Sequence, residues 1–409
     1  MSRFVRLGEL GTTFAGLSGK TKADFGRGNA SYVTFLDVVN STRLRGESLG
    51  RVRVEPGEGQ NRVLRGDLLF NGSSETPEEV ALSAVVDFDP LPETYLNSFC
   101  FGFRLFPDAH VDPMYLAYFF RSPAGRELVS PLSQGATRYN IAKTKLLKVG
   151  LHLPELRRQR EVVEMLSDAD ALTGTLRRKV AKQEDVLQGM TRQLLTGQTR
   201  LPGFEGPWMR VRLEELGHFL KGRDVKRSDV RDSGIPCIRY GELYTAFNSY
   251  TTKTKSFVAP EVAERALTIQ KGDLLFAGSG ETREEIGTCV AYLGAKPAVA
   301  GGDIVVLRGD SFNPIYLSLS MGSPQVVQQK ARAGQGDAVV HIYSSALAAI
   351  EVELPPRQEQ DAIANVIVDA RNEIDALRRR LAKVRAIKQG MIQDLMARRT
   401  RLPAEEAAA

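Results

Sequence analysis

Apolar and polar positions follow two rhythms along this chain. In residues 1–154 and 211–355, short apolar runs are broken by Gly, Pro and Asp. SYVTFLDVV (31–39), GDLLF (66–70), FCFGFRLF (99–106) and IVVLR (304–308) have the length and the β-branched or aromatic content of strands. PMYLAYFFRS (113–122), GRELVS (125–130) after a Pro-Ala break, and PIYLSLSMGS (314–323) predict short helices. The second rhythm is longer. Val162, Leu166, Ala169, Thr173, Leu176, Val180, Gln183, Leu187, Met190 and Leu194 step by alternating four and three. Ile363, Ile367, Ala370, Ile374, Leu377, Leu381, Val384, Lys388, Met391 and Leu395 do the same. Such heptad seams, with few polar interruptions, predict two helices of coiled-coil type over 155–198 and 356–400. At about 1.5 Å per residue each is a rod of roughly 60 Å. Pro154 and Pro355 stand at the starts, where proline is tolerated. Gly197, with Pro202 behind it, is placed to end the first helix, and 199–210 reads as a linker.

The rhythms recur because the sequence repeats. GDLLFNGSSETPEEV at 66–80 matches GDLLFAGSGETREEI at 272–286 in 11 of 15 positions, and VRLGELG at 5–11 matches VRLEELG at 211–217. Residues 153–202 align with 354–403 without a gap, 18 of 50 identical. This period is far above that of solenoid repeats, roughly 20–50 residues. The chain is therefore one domain-sized α+β unit with a long helix, used twice, and a pseudo-two-fold object is the expected product. Gly189 and Gly390 occupy matching mid-helix positions, where glycine costs about 1 kcal/mol against alanine. Their recurrence points to close approach of a helix or partner.

Charge and composition narrow the function only mildly. A net charge of +6 and a pI near 9.1 fit a nucleic-acid partner without requiring one. The start lacks an apolar leader, and no apolar run reaches the roughly 18 residues of a membrane span. Cys100, Cys237 and Cys289 are scattered and odd in number, which speaks against a disulfide framework or a zinc site. A cytoplasmic protein without membrane contact is expected.

One motif invites an enzymatic reading. FAGSG at 276–280 has the F-x-G-x-G shape of an S-adenosylmethionine loop, and NPIY (313–316) and DPMY (112–115) approach the N/D-P-P-Y/F motif of amino-methyltransferases. Both tetrapeptides lack the second proline, and the first copy of the glycine loop reads FNGSS. Only 32 residues separate Gly280 from Asn313, too few for the several βα steps between cofactor loop and catalytic strand, at about 30 residues per βαβ unit. No ATP loop, metal-spaced histidines or catalytic triad can be argued, so no catalytic residue and no metal ligand is nominated. Polar loops are more suggestive. Lys20, Lys22, Arg27 and Asn29 in one copy, and Lys221, Arg223, Lys226, Arg227 and Arg239 in the other, carry groups that neutralise phosphates or pair with guanine. Ser73, Ser74, Thr76, Arg138 and Asn140, with Ser279, Thr282, Arg283 and His341, complete the candidate DNA contacts. The clusters Arg177-Arg178-Lys179 and Arg378-Arg379-Arg380 could also face a nucleic-acid backbone.

The ordered double set LPELRRQREVVEML with LQGMTRQLLTGQTRLPGF, and LPPRQEQDAIANVI with KQGMIQDLMARRTRLP, resembles the specificity subunit of type I restriction–modification enzymes over residues 1–403. Departures are the LMARRTRLP ending and Lys388 in the second seam. The resemblance implies two target-recognition domains, 1–154 and 211–355, separated by two long antiparallel helices. Each domain would read half of a bipartite site in double-stranded DNA. The helices would set the spacer and dock two modification (methyltransferase) subunits through Val162, Leu166, Leu176, Gly189, Met190, Ile363, Ile367, Leu377, Gly390 and Met391. Restriction subunits would complete the complex. S-adenosylmethionine, ATP and Mg would belong to those partners, and this chain would hold no cofactor. The competing readings are a fused methyltransferase or endonuclease specificity protein, and a coiled-coil protein that does not bind DNA.

Overall fold

The computed structural model describes residues 3–396. The chain forms two compact units whose boundaries fall inside the long helices. One comprises residues up to Arg178 with those from Arg379 on; the other runs from Lys179 to Arg378.

In the first unit a five-stranded sheet runs in the order Gly11–Ala15, Cys100–Leu105, Leu68–Asn71, Ser83–Val86, Arg43–Leu44. Its neighbours are antiparallel except the last pair. The second unit repeats this order with His218–Lys221, Ile304–Arg308, Leu274–Ala277, Cys289–Tyr292 and Tyr250–Thr251. The GDLLF runs are thus central strands, and their side chains are buried on both faces. The aspartate of each run fixes the turn before it. Asp67 accepts from the Leu64 amide at 2.7 Å and from Arg104 at 2.7 and 2.8 Å. Asp273 does the same with the Gln270 amide at 2.8 Å and Arg308 at 2.6 and 2.8 Å.

DPMY and NPIY are helix starts. Asp112 and Asn313 cap the helices Pro113–Arg121 and Pro314–Ser320. Behind them sit buried glutamines. Gln159 accepts from the Asp112 amide at 2.9 Å and donates to Pro154 O at 2.8 Å; Gln360 accepts from Asn313 and donates to Pro355 O, both at 2.9 Å. The glutamine shared by the two repeats therefore ties each long helix to its own domain.

The long helices are Leu156–Leu195 and Arg357–Met396; residues 397–400 of the expected second helix lie outside the described residues. In the first unit, Val162 and Leu166 share a core with Met391, Ile392, Leu395 and Met396. In the second, Ile363 and Ile367 share one with Leu187, Met190 and Leu194. The start of one helix therefore lies against the end of the other within each unit, so the helices pair antiparallel. Lys388 interrupts the seam without being stranded, since it pairs with Asp170 and lies over the Tyr118 ring.

Two expectations need correction. SYVTFLDVV is not one strand. The strand Phe25–Val33 ends where Thr34 and Asp37 form a capping box that starts the helix Phe35–Asn40. Nor, among the described residues, does another helix approach Gly189 or Gly390 closely, because a Cβ at either would meet nothing within 4 Å, which leaves approach by a partner as the expectation.

Lys330 in the second unit carries a pH prediction. It is buried and donates to Gly287 O at 2.9 Å, and desolvation pulls its pKa from 10.5 down to about 8. The unfolded chain keeps this proton up to about 10.5, the folded chain only up to about 8. Between those values the unfolded state binds more protons, so this contribution to stability rises with pH from 8 to 10.5, and its penalty is full below 8. Denaturation followed by the fluorescence of Trp208 is expected to show that Lys330→Met loses this rise relative to the parent between pH 8 and 10.

Candidate DNA interface

The glycine turn of the second unit is built into the unit rather than opened toward a ligand. In the second unit, Gly278 donates to Asp303 O at 2.7 Å and accepts from the Ile342 amide at 2.9 Å. A Cβ on Gly280 would stand 2.7 Å from Tyr244 Oη, which donates to Ser279 O at 2.9 Å. Tyr244 thus fills the hollow that an S-adenosylmethionine loop would leave for its ligand, and these residues do not fit that cofactor. Burial and a neighbouring Glu285 carboxylate push the Tyr244 hydroxyl up to about 12, so it stays a donor.

The turn is joined to the Gln-Gly loop that recurs in both copies. Ser73–Ser74 pairs with Tyr139–Ile141, and Ser279–Gly280 pairs with Val340–His341. Asn140 therefore stands opposite Ser73, and His341 opposite Ser279, with Ser279 Oγ and His341 Nδ1 2.9 Å apart. Arg283 donates to Gly334 O at 3.0 Å and Gly336 O at 3.3 Å, bracing the same loop. Sequence spacing did not show these pairings, which join residues more than 50 positions apart.

The other candidates divide into committed and available groups. Asn29 spends its amide on Val54, donating to the carbonyl at 2.9 Å and accepting from the amide at 3.0 Å. Lys20 is held by Glu58 at 2.5 Å. Ser74 donates to Glu79, and Thr282 Oγ1 accepts from the Glu285 amide at 3.3 Å. Arg239 pairs with Glu242, while its Nε is buried without a partner. These groups shape the loops. Lys22, Arg27, Thr76, Arg138, Lys221, Arg223, Lys226 and Arg227 are solvent-exposed and keep cationic or hydroxyl groups at the surface. Of the helix clusters, Arg378 is engaged by Glu184 at 2.6 Å and Asp375 at 3.2 Å. Arg178 reaches Thr175 at 3.4 Å.

Two surface pockets lie beside equivalent short helices, Phe35–Asn40 and Tyr240–Thr245. The first, about 380 Å³, is lined by Phe35, Ser73, Ser74, Phe99 and Arg138, with Glu75 and Glu79 on the same wall. The second, about 500 Å³, is mixed in character, with Val225, Arg227, Arg239, Tyr240, Glu242 and Asp303 among its walls. Asp303 adopts φ 60°, uncommon for a residue other than glycine. Phe35, Phe99, Tyr240 and Asp303 were not among the residues expected from sequence. An apolar run does not show which of its members stays outside the core.

A double copy of α+β domain plus helix, with no nominated catalytic group, has a counterpart among known families. The family model for the type I restriction modification DNA specificity domain matches residues 3–183 and again 205–386. The chain belongs to this family. Among curated relatives, a putative type I restriction enzyme MjaX specificity subunit from Methanocaldococcus jannaschii is 22% identical over 90% of this chain and 87% of its own. The MjaVIII specificity subunit of the same organism is 20% identical over 71% of each. Among solved structures, the S subunit of a type I restriction–modification system from M. genitalium superposes with a TM-score of 0.59 at 12% identity, over 97% of this chain and 96% of that one. A chain from a structural study of type I complex assembly and conformational transition gives 0.54 at 18% identity, with 97% of each covered. These likenesses show the fold of two α+β domains with long helices. This specificity subunit has no helix among the described residues long and apolar enough to cross a membrane. Nor do the described residues include a group of three or more His, Cys, Asp or Glu placed to hold a metal.

Proposed function

We propose that each unit reads one half of a bipartite site in double-stranded DNA and that the paired helices set the unread spacer. The observation that carries this is the duplication itself. One scaffold occurs twice in the chain, with the same sheet order, the same Asp–Arg brace and the same glutamine clamp, while the exposed loop residues differ between copies. Equal scaffolds with unequal loops fit two half-sites of different sequence. Half-sites one duplex turn apart are separated by about 34 Å, and a rod of roughly 60 Å can fix such a distance.

Modification subunits would dock along the helices; of the ten nominated positions Val162, Leu166, Leu176, Ile363 and Ile367 are buried within their own units, which leaves Gly189, Met190, Leu377, Gly390 and Met391 for a partner. The open space around both glycines leaves room there for a partner's side chains. S-adenosylmethionine, ATP and Mg would enter with the modification and restriction subunits, and the chain on its own would be non-catalytic and cytoplasmic. The test is direct. Purified chain incubated with DNA and labelled S-adenosylmethionine is expected to transfer no methyl groups, and adding the modification subunits is expected to start sequence-specific transfer. Methyl transfer by the chain alone would favour the fused-enzyme reading.

A further inference from the structure

Leu36 and Phe99, large apolar side chains on different elements of the first unit, are both exposed. Leu36 is 65% exposed and Phe99 is 56% exposed. Leu36 follows Phe35 at the start of its short helix, and Phe99 precedes the strand Cys100–Leu105. Phe35 and Phe99 wall the pocket of about 380 Å³, and the Arg138 guanidinium lies 5.9 Å from the centre of the Phe99 ring. Phe35 is half-buried and Phe99 exposed, so the pocket offers parts of both rings beside a cation, which suits a contact surface.

The charges define what the pocket takes. Glu75 and Glu79 share its wall with Ser73 and Ser74. Two carboxylates repel a phosphate, so the pocket is unsuited to the DNA backbone. Base edges suit it, because a thymine methyl packs against apolar side chains and a guanine edge accepts two hydrogen bonds from one guanidinium. The second unit is built differently at the equivalent helix. There the position of Val39 is taken by Tyr244, whose hydroxyl reaches Ser279 O, and Arg283 is tied to Gly334 and Gly336. Its pocket opens instead toward Arg227, Arg239 and Asp303.

We propose that the Phe35–Phe99–Arg138 pocket is the base-reading site of the first unit, with the rings receiving a thymine methyl and Arg138 pairing with a neighbouring guanine. This rests on the DNA-reading function proposed above. It names the residues and base chemistry of one half-site, and it makes the two half-sites chemically unlike.

The experiment uses the complex reconstituted with its modification subunits, acting on a randomised duplex library read by methylation sequencing. Phe99→Ala is expected to reduce the thymine preference at one position of one half-site about fourfold, the worth of one buried methyl-sized group. Deoxyuridine in place of that thymine should reproduce the loss with the parent chain and add nothing with Phe99→Ala. Arg138→Ala is expected to reduce the guanine preference at a neighbouring position tenfold or more. The other half-site should keep its preference in both variants, and so should the remaining positions of the altered half-site, which shows that the first unit still folds. Uniform weakening across all sequences, or unchanged preference in both half-sites, overturns the proposal while leaving the bipartite reading intact. A parent complex without bipartite preference would instead remove the reading on which the proposal rests.

Discussion

Arg308→Met is expected to destabilise the second unit by about 3 kcal/mol, because it leaves a buried carboxylate without its cation. Asp273 is 1% exposed and takes two hydrogen bonds from Arg308, which itself keeps a quarter of its side-chain surface in water. That partial exposure places the effect at the lower end of the range for broken buried pairs, about 3–5 kcal/mol. The carboxylate holds the Arg308 guanidinium protonated even more firmly than usual. The only tryptophan, Trp208, packs against the core of this unit and reports its unfolding. Urea denaturation followed at Trp208 should show the midpoint fall, and adding Asp273→Asn should recover part of the loss by removing the stranded charge. An unmoved midpoint would mean that the Asp–Arg brace is not a major support of the GDLLF turn.

The second large effect concerns specificity. Exchanging residues 1–154 for the corresponding domain of another member of the family should replace one half-site by that of the donor. The other half-site and the spacer length should stay unchanged. The glutamine clamp and the core around Val162 and Leu166 belong to the scaffold, so the donor's own Asp-Pro or Asn-Pro helix start can seat on Gln159. A specific DNA complex is typically 10³-fold or more tighter than a non-specific one, so the old half-site should fall toward background. Methylation sequencing of the reconstituted hybrid reads the outcome. A hybrid that alters both half-sites would show that the units do not read independently.

Much of this fold was legible because it rests on patterns that sequence displays directly. The alternation of four and three marked both long helices, and the repeat marked two equal domains before any contact was known. The turn residues were less legible. Thr34 and Asp37 start a helix inside an apolar run that otherwise reads as a strand, since the capping box outweighs the β-branched residues beside it. The candidate interface was legible as regions and not as residues. Asn29 and Arg283 have the chemistry of DNA contacts, yet both spend their hydrogen bonds on backbone groups distant in sequence. Phe99 had the opposite fate. Its composition suggests core, and only the arrangement of the strand Cys100–Leu105 leaves it outside. Whether a side chain is committed or available depends on long-range pairing, which one sequence does not display.

The central claim is that one chain holds two separate readers of DNA. Mapping every methylated position in a randomised duplex library treated with the reconstituted complex tests it most directly. The prediction is two unlike short motifs separated by a spacer of fixed length and free sequence. A single uninterrupted motif, or methylation that requires this chain but shows no sequence preference, would contradict it.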